Sequence, residues 1–205
     1  MYIPKAMKMV DLAAQHDFID AHGFAVVVSA DLQATHQPLV LHREEGELGT
    51  LYGHFARGNP HWENLDGQDA LVIFSGPHAY ISPTWYAATP NVPTWNYAAV
   101  HVTGRVSLLN AEQTLAVVED TVRQYEPDLL AERTVITDAY RDKLLPAIVG
   151  FRLEITQLQG KQKLGQQRST ADQRGVFAAL SGSKRLDDQA LAAYMAATGL
   201  GTGEV

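Results

Sequence analysis

A closed antiparallel sheet with helices packed outside it is the architecture this sequence predicts. Three observations carry the expectation. Residues 97–109 alternate: Ala98, Val100, Val102, Val106 and Leu108 point one way, and Tyr97, His101, Thr103, Arg105 and Ser107 the other. That run is long for a strand, and Gly104 supplies the bend that a curled strand needs. The remaining apolar runs are short and follow one another with few helical patterns between them, whereas a doubly wound parallel sheet needs a helix between most strands. The 205 residues are 46% hydrophobic and 19% charged, an ordinary globular balance with enough apolar surface for a sizeable core. We expect a single domain over residues 1–205.

In chain order, Asp11 is placed to cap a helix that carries Leu12, Phe18 and Ile19 inward and stops at Gly23. Residues 24–28 form a β-branched run, read as a buried strand. A turn at 31–33 leads to a second strand over 35–41, and 48–53 is a third. Residues 55–65 read as a short helical segment broken by Gly58 and Pro60. Strands follow at 70–74, 78–82 and 97–109. Asn110 and Gln113 form a capping-box pair before a helix with Leu115, Val118, Val122 and Tyr125 in one stripe. Pro127 ends it. A short helix over 138–145 precedes the last strand, 148–158. Two helices close the chain over about 170–199. Thr170 with Gln173 forms a second capping pair, Asp187 caps the last helix, and Leu186 is set to staple against Leu191. The tail from Gly199 reads as frayed.

The formal net charge of -7, with sixteen scattered Lys and Arg, gives no support for binding DNA through its phosphates. The absence of cysteine excludes disulfides, thiolate metal sites and cysteine nucleophiles. No apolar run is long enough for a membrane span and the start does not read as a signal peptide, so a cytoplasmic protein is expected. No Gly-rich dinucleotide loop, Walker loop, nucleophile elbow or His-Glu-x-x-His occurs.

Four segments can carry chemistry. Gly53-His54-Phe55-Ala56-Arg57-Gly58-Asn59-Pro60 sets a histidine, a guanidinium and an amide at a strand-to-helix junction, a setting suited to a phosphate. A capped turn with a surface arginine is the plainer alternative. Thr35-His36 lies on an apolar strand, where a histidine is more often structural than a ligand. His36, His54, His61, His78 and His101 lack metal-ligand spacing, so no metal is expected. The stretch 76–97 holds Trp85, Tyr86, Trp95 and Tyr97 among stiff prolines, and reads either as core or as a wall for a flat ligand. Lys161, Lys163 and Arg168 form a loose cationic group that is either a solvated face or a phosphate contact.

Taken together, Ala34-Thr35-His36-Gln37-Pro38-Leu39, Leu48-Gly49-Thr50-Leu51 with Gly53-His54, Ala56-Arg57-Gly58-Asn59-Pro60, the stretch from Gly76 to Tyr86 and the stretch from Pro93 to His101 resemble the FMN-binding negative transcriptional regulators of the PaiB type. So do Met1-Tyr2-Ile3-Pro4-Lys5 at the start and the segment 160–169, in the same order. Met7 departs from that pattern, and Gln162, Gly165 and Gln167 stand where the family has tryptophan, serine and asparagine. The resemblance implies a mainly β chain with packed helices, an antiparallel six-stranded split β-barrel of the FMN-binding type. It also implies a homodimer with FMN in the cleft between subunits.

On that basis the FMN phosphate is expected near His54, Arg57 and Asn59, with Thr35 and His36 beside it. The isoalloxazine is expected by the backbone around Leu39 and near Trp85 or Trp95. Lys163, Gln166 and Arg168 are expected to close the site from the other subunit. The resemblance implies transcriptional repression, exerted on DNA directly or through a partner. The alternative is an FMN-dependent oxidoreductase or flavin reductase, for which no acid–base pair stands out. Haem handling is a weaker third option.

Overall fold

The computed structural model describes residues 1–132 and 134–204. The chain divides into two compact units. A central unit spans Asp11–Phe74 and His101–Leu158; a terminal unit comprises Met1–Val10, Ser75–Val100 and Gln159–Val205. Among the described residues there is one sheet of eight strands, where six were expected. These are β1 Lys8–Met9, β2 Phe24–Val28, β3 Ala34–Pro38, β4 Val40–His42, β5 Thr50–Ala56, β6 Asp69–Ile81, β7 Thr94–Leu108 and β8 Ile148–Lys163. The order is β3-β2-β6-β7-β8-β5-β4, with β1 paired to β8. The mainly β class with added helices stands.

In the central unit, α1 (Leu12–Ala21) starts as expected, the Asp11 carboxylate accepting from Ala14 N at 3.2 Å. Phe18 and Ile19 are buried, but Leu12 is exposed. Gly23 is not a left-handed cap. It is needed because a Cβ there would stand 3.1 Å from the Leu39 carbonyl oxygen and 2.8 Å from the Tyr125 hydroxyl. β2 alternates instead of burying every side chain, and Phe24 is 67% exposed. The single strand expected over 35–41 is two, broken at Leu39.

The β2–β3 hairpin has a definite hydrogen-bonding parity. Leu39 N donates to Gly23 O at 2.9 Å and Ser29 N to Gln33 O at 3.1 Å, while Phe24 lies opposite Pro38 and Val28 opposite Ala34. Bonded pairs alternate along an antiparallel ladder. The odd residues of β3 therefore bond to β2, and the backbone groups of Ala34, His36 and Pro38 turn to the other side. β3 ends the strand order, so that side is a free edge. Pro38, with no N–H to give, sits where none is required.

β5 runs on to Ala56, and the helix expected over 55–65 reduces to a 3-10 turn, Pro60–Asn64. Asn59 caps it, its Oδ1 accepting from His61 N at 3.0 Å. β6 is one strand through Gly76-Pro77 where two were expected. Its pairing with β2 ends at Ile73, so the missing N–H of Pro77 costs that ladder nothing.

Helix α2 (Ala111–Tyr125) has the full capping box of Asn110 and Gln113. Its buried face is Thr114 and Val117, not the predicted stripe. Gly150 on β8 lets Thr114 approach closely and donates its N–H to Thr114 Oγ1 at 3.2 Å. Leu115, Val118 and Val122 instead line a small cavity of about 70 Å³ with Leu129, Leu130 and Ile136, and Tyr125 is exposed. Helix α3 covers Asp138–Leu144. The core of this unit centres on Phe55, Phe74, Phe151, Leu51 and Leu153.

In the terminal unit, β1 pairs Lys8 with Lys161 and Met9 with Gly160. Helices α4 (Thr170–Ser181) and α5 (Leu186–Thr198) bury Val176, Leu180, Leu191 and Met195 against Ala79, Ile81 and Leu164. The cap of α4 is Ser169, one residue before the expected Thr170, accepting from Asp172 N at 3.2 Å. The Gln173 amide donates to Arg168 O at 2.7 Å instead of completing a box. Asp187 does not cap α5. Arg185 holds that position, and Ser183 braces the turn, accepting from Arg185 N and donating to Asp188. Leu186 is exposed, so no staple forms. The tail is not frayed: Thr202 is buried, and Arg174 Nε donates to Gly203 O at 3.0 Å. No helix among the described residues is long and apolar enough to cross a membrane.

The two units differ sharply in charge. The terminal unit has eight Lys and Arg against four Asp and Glu, a net of +4. The central unit has eight against nineteen, a net of -11, and the two restore the chain's -7.

Candidate functional site

In the central unit Thr35 and Asn59 come together around His61. Asn59 Nδ2 donates to Thr35 Oγ1 at 3.1 Å, Thr35 Oγ1 lies 2.8 Å from His61 Nδ1, and His61 Nε2 lies 2.8 Å from Ser29 Oγ. Ser29 in turn donates to Asp31. A hydroxyl has one proton and a neutral imidazole one N–H. The directions are therefore fixed by the ends of the chain: Asn59 to Thr35, Thr35 to His61 Nδ1, His61 Nε2–H to Ser29, and Ser29 to Asp31. His61 is 2% exposed, and burial pushes its imidazole below the usual histidine value, which matches the neutral ring this relay needs. Hydrogen bonds from Ser29 and Gln33 hold the Asp31 carboxyl below its ordinary value.

The other central residues lie apart from this relay. His36 is exposed and stacks at 6.3 Å on Phe24. Leu39 is core, packed where Gly53 leaves room. His54 pairs with Gly150 across β5 and β8, and burial lowers its pKa. Arg57 spends its guanidinium on backbone: Nε donates to Pro146 O at 2.6 Å and Nη2 to Ile148 O at 3.0 Å, with the Trp62 ring 5.7 Å away. It borders a cavity of about 340 Å³ whose other walls include Leu109, Leu145, Pro146 and Val149.

Among the described residues, buried side-chain atoms without a hydrogen-bond partner are Gln15 Oε1 and both polar atoms of Gln37. The Gln37 side chain is 4% exposed, and neither its Oε1 nor its Nε2 makes a hydrogen bond. Cross-strand pairing with Ala25 sets it on the same face of β3 as Thr35.

In the terminal unit, Trp85 packs on the core made by α4 and α5 and is partly buried. Trp95 is 51% exposed, with His78 at 6.1 Å and Tyr80 at 6.3 Å. Lys163 Nζ donates to Thr94 Oγ1 at 2.5 Å and Trp95 O at 2.7 Å. Gln166 ties its own loop to the N-terminal turn, donating to Ala6 O and Gln162 O and accepting from Leu164 N. Arg168 donates from Nη1 to Asn91 Oδ1 at 2.9 Å, its guanidinium 4.7 Å from the Tyr86 ring. Lys161 is only 7% exposed, bonded to Tyr2 O at 3.0 Å between the rings of Tyr2 and Tyr97.

Ser29 and Gln37 were not singled out from the sequence; His61 entered only in the histidine group set aside as a metal site, and Lys161 only within the cationic group. For His61 a signal existed: Asn59-Pro60 announces a capped turn, and the residue after it is aimed back at the sheet. Gln37 gave none beyond a polar residue at an inward position of an apolar strand.

Comparison with known proteins follows the same lines. Residues 1–157 match a family model described as "Putative FMN-binding domain". The chain is 34% identical to the Protease synthase and sporulation protein PAI 2 of Bacillus subtilis over 203 residues, covering 95% of this chain and 96% of that one. A protein of Emericella nidulans is 31% identical over 71% of this chain and 74% of its own. Among solved structures, the flavocytochrome Anf3 of Azotobacter vinelandii superposes with a TM-score of 0.59 at 16% identity, over 78% of this chain and 72% of that one. The FAD and haem binding protein of Mycobacterium smegmatis gives 0.57 at 17%, over 77% and 73%. The chain therefore belongs to the FMN-binding family of the PaiB type, with the split-barrel fold, and FMN is the cofactor which that membership assigns to it.

Proposed function

We propose that this chain is a cytoplasmic, homodimeric FMN-binding regulator of transcription, with the flavin ring lying along the free edge of β3. The observation that carries the flavin reading is the parity of the β2–β3 hairpin. It leaves the His36 N–H and C=O unclaimed by β2, beside Leu39 and the relay-held Thr35. The pyrimidine end of a flavin carries acceptors on either side of an N–H, and alternating backbone donors and acceptors on a strand edge suit it. The orphaned amide of Gln37 on the same strand has unspent capacity of both kinds. His54 and Asn59 are the further candidates in this unit, and Trp85 and Trp95 in the other. Arg57 is the least available of the expected contacts, since two of its three nitrogens already donate to carbonyls. When bound, FMN supplies one- and two-electron redox chemistry, and the protein's part is to hold and tune it.

Support for a role in transcription comes from the PaiB-type family and the relationship to PAI 2. The +4 charge of the terminal unit favours it as the side that meets DNA or an acidic partner. The test of the cofactor is direct: purified protein mixed with FMN is passed over a gel-filtration column. The expected result is a flavin band travelling with a particle of twice the chain mass. A colourless protein peak overturns the flavin reading, and a peak at the chain mass overturns the dimer.

A second reading, an FMN-dependent oxidoreductase, is favoured by the half-exposed Trp95 indole, open to a co-substrate with His78 and Tyr80 beside it at an angle. Anaerobic bleaching of the bound flavin by NADH or NADPH supports it; flavin that stays oxidised with both counts against it.

A further inference from the structure

We propose that His61 is a positioning residue for the phosphate of the flavin: a shift of its ring proton from Nε2 to Nδ1 turns the Thr35 hydroxyl from an acceptor into a donor for that anion. This deepens the flavin reading and rests on it for the identity of the anion. Of the groups whose protons move, only Thr35 was expected at the site; His61, Ser29 and Asp31 act through it.

In the relay as it stands, Thr35 has no proton to offer a ligand. Its Oγ1 accepts from Asn59 Nδ2 at 3.1 Å and donates to His61 Nδ1 at 2.8 Å, which leaves it one lone pair. Beside it, Asn59 has a second amide proton, while its Oδ1 accepts from His61 N at 3.0 Å. An ionised phosphate oxygen accepts and does not donate. It suits the Asn59 amide and is repelled by the lone pair of Thr35. Thr35 and Asn59 are both half-buried, whereas His61 is 2% exposed. A ligand can therefore touch the hydroxyl but not the imidazole behind it.

A neutral imidazole takes the tautomer that its two neighbours favour, and both neighbours of His61 are hydroxyls, which can give or take. The opposite setting is therefore open to the same atoms. Each proton moves one place along a bond already made: that of Thr35 to His61 Nδ1, that of His61 Nε2 to Ser29, and that of Ser29 to Asp31 and on to solvent. Thr35 takes a replacement from water on its open side. One proton enters and one leaves, so the charge is unchanged. Thr35 then accepts from both Asn59 and His61 and turns its own proton outward, beside the second N–H of Asn59. That makes two donors for one phosphate. The loss falls at the far end, where Asp31 gives up its bond from Ser29. Asp31 is exposed and keeps Gln33 Nε2 at 2.9 Å, so water makes good what is lost. A hydrogen bond to a charged phosphate outweighs one that water replaces.

The test uses the full chain with nitrogen-15 histidine at neutral pH, the His61 resonances being identified by their absence from His61→Gln. Nitrogen NMR tells which ring nitrogen is protonated, and the probes are FMN, riboflavin, which lacks the phosphate, and inorganic phosphate. The expected result is Nε2–H in the flavin-free chain, Nδ1–H with FMN, and Nε2–H retained with riboflavin. Two variants fix the tautomer from either side. Thr35→Val is expected to keep Nε2–H with or without FMN and to bind FMN about tenfold more weakly or worse. Ser29→Ala removes the acceptor for Nε2–H, so Nδ1–H is expected before any FMN is added. A purely structural imidazole would keep one tautomer throughout, so Nε2–H persisting in the FMN-loaded parent overturns the proposal. A swap as complete with riboflavin as with FMN also overturns it, because the ring would then answer to something other than the phosphate. A chain that takes up no FMN disproves the flavin reading; a swap on adding inorganic phosphate then leaves the His61 switch standing, and no swap ends both.

Discussion

Arg57 and Arg168 both sit in motifs that announce an anion, yet the two units use them in opposite ways. In the acidic central unit the guanidinium of Arg57 ties β5 to the start of β8 through the carbonyls of Pro146 and Ile148. In the basic terminal unit Arg168 is steadied by one amide oxygen and one aromatic face, and keeps two nitrogens unspent. The same contrast runs through the histidines and lysines. In the central unit a directed relay runs from Asn59 to Asp31; in the terminal unit the hydrogen bonds of Lys161 and Lys163 go to neutral oxygens. A motif names the residue type, but availability is decided by which carbonyls happen to lie within reach.

The strongest way to break this contrast is to cut the relay. His61→Ala takes from Thr35 its acceptor and from Ser29 its donor, leaving them Asn59 and Asp31 as partners, and empties the space against Phe55, whose ring lies 5.3 Å from the imidazole. A loss of about 3 kcal/mol is expected in urea unfolding. A change under about 0.5 kcal/mol would mean that water replaces the ring without cost, and the relay would not be structural.

Arg57→Ala comes next, with an expected loss of about 2 kcal/mol from two charge-assisted bonds. If stability holds and only FMN affinity drops, Arg57 is a ligand contact after all and the contrast with Arg168 dissolves.

The smallest effect is on pH. His22, His54, His61 and His101 all have lowered pKa values, burial being the first cause in each. A depressed histidine is neutral when folded, so its contribution is present above the unfolded value of about 6.5 and is lost as pH falls below that through the lowered values. All four lie in the central unit; the terminal unit holds a single histidine, His78. Amide exchange compared at pH 7.5 and pH 5 after correction for intrinsic rates should therefore show loosening around β3 and β5, with α4 and α5 little changed. Equal loosening in both units would remove the distinction.

Much of the fold was legible from pattern. Period-2 alternation located β7, and Asp11 and Asn110 located two helix starts, because both signals depend on residues close in sequence. What failed depends on distant partners. The stripe on α2 was misassigned because Gly150 lets Thr114, a polar residue, become the close contact. The cap of α5 was misassigned because Ser183 reaches forward to Asp188, which leaves Asp187 to solvent. The tail was read as frayed because chain ends usually are. In fact Gly201 and Gly203 have positive φ, and Gly201 lies where an added Cβ would strike the Leu164 carbonyl. For the candidate site, the sequence set Thr35 beside Asn59, and the two side chains are hydrogen-bonded in the structure. The sequence could not say that His36 faces away from them, since that depends on the register of the hairpin.

Pro38 carries a consequence beyond its own turn. An open strand edge is a template for another chain, and proteins guard such edges against aggregation. Here the guard is partial. Ala34 and His36 still offer backbone bonds on the outer side, but the next outward position has no proton to give, so an incoming strand finds its ladder cut after two residues. The edge can grip something the length of a heterocycle and cannot recruit a polypeptide. Replacing Pro38 with a residue that has an N–H would lengthen that grip and turn a small-molecule edge into a sticky one.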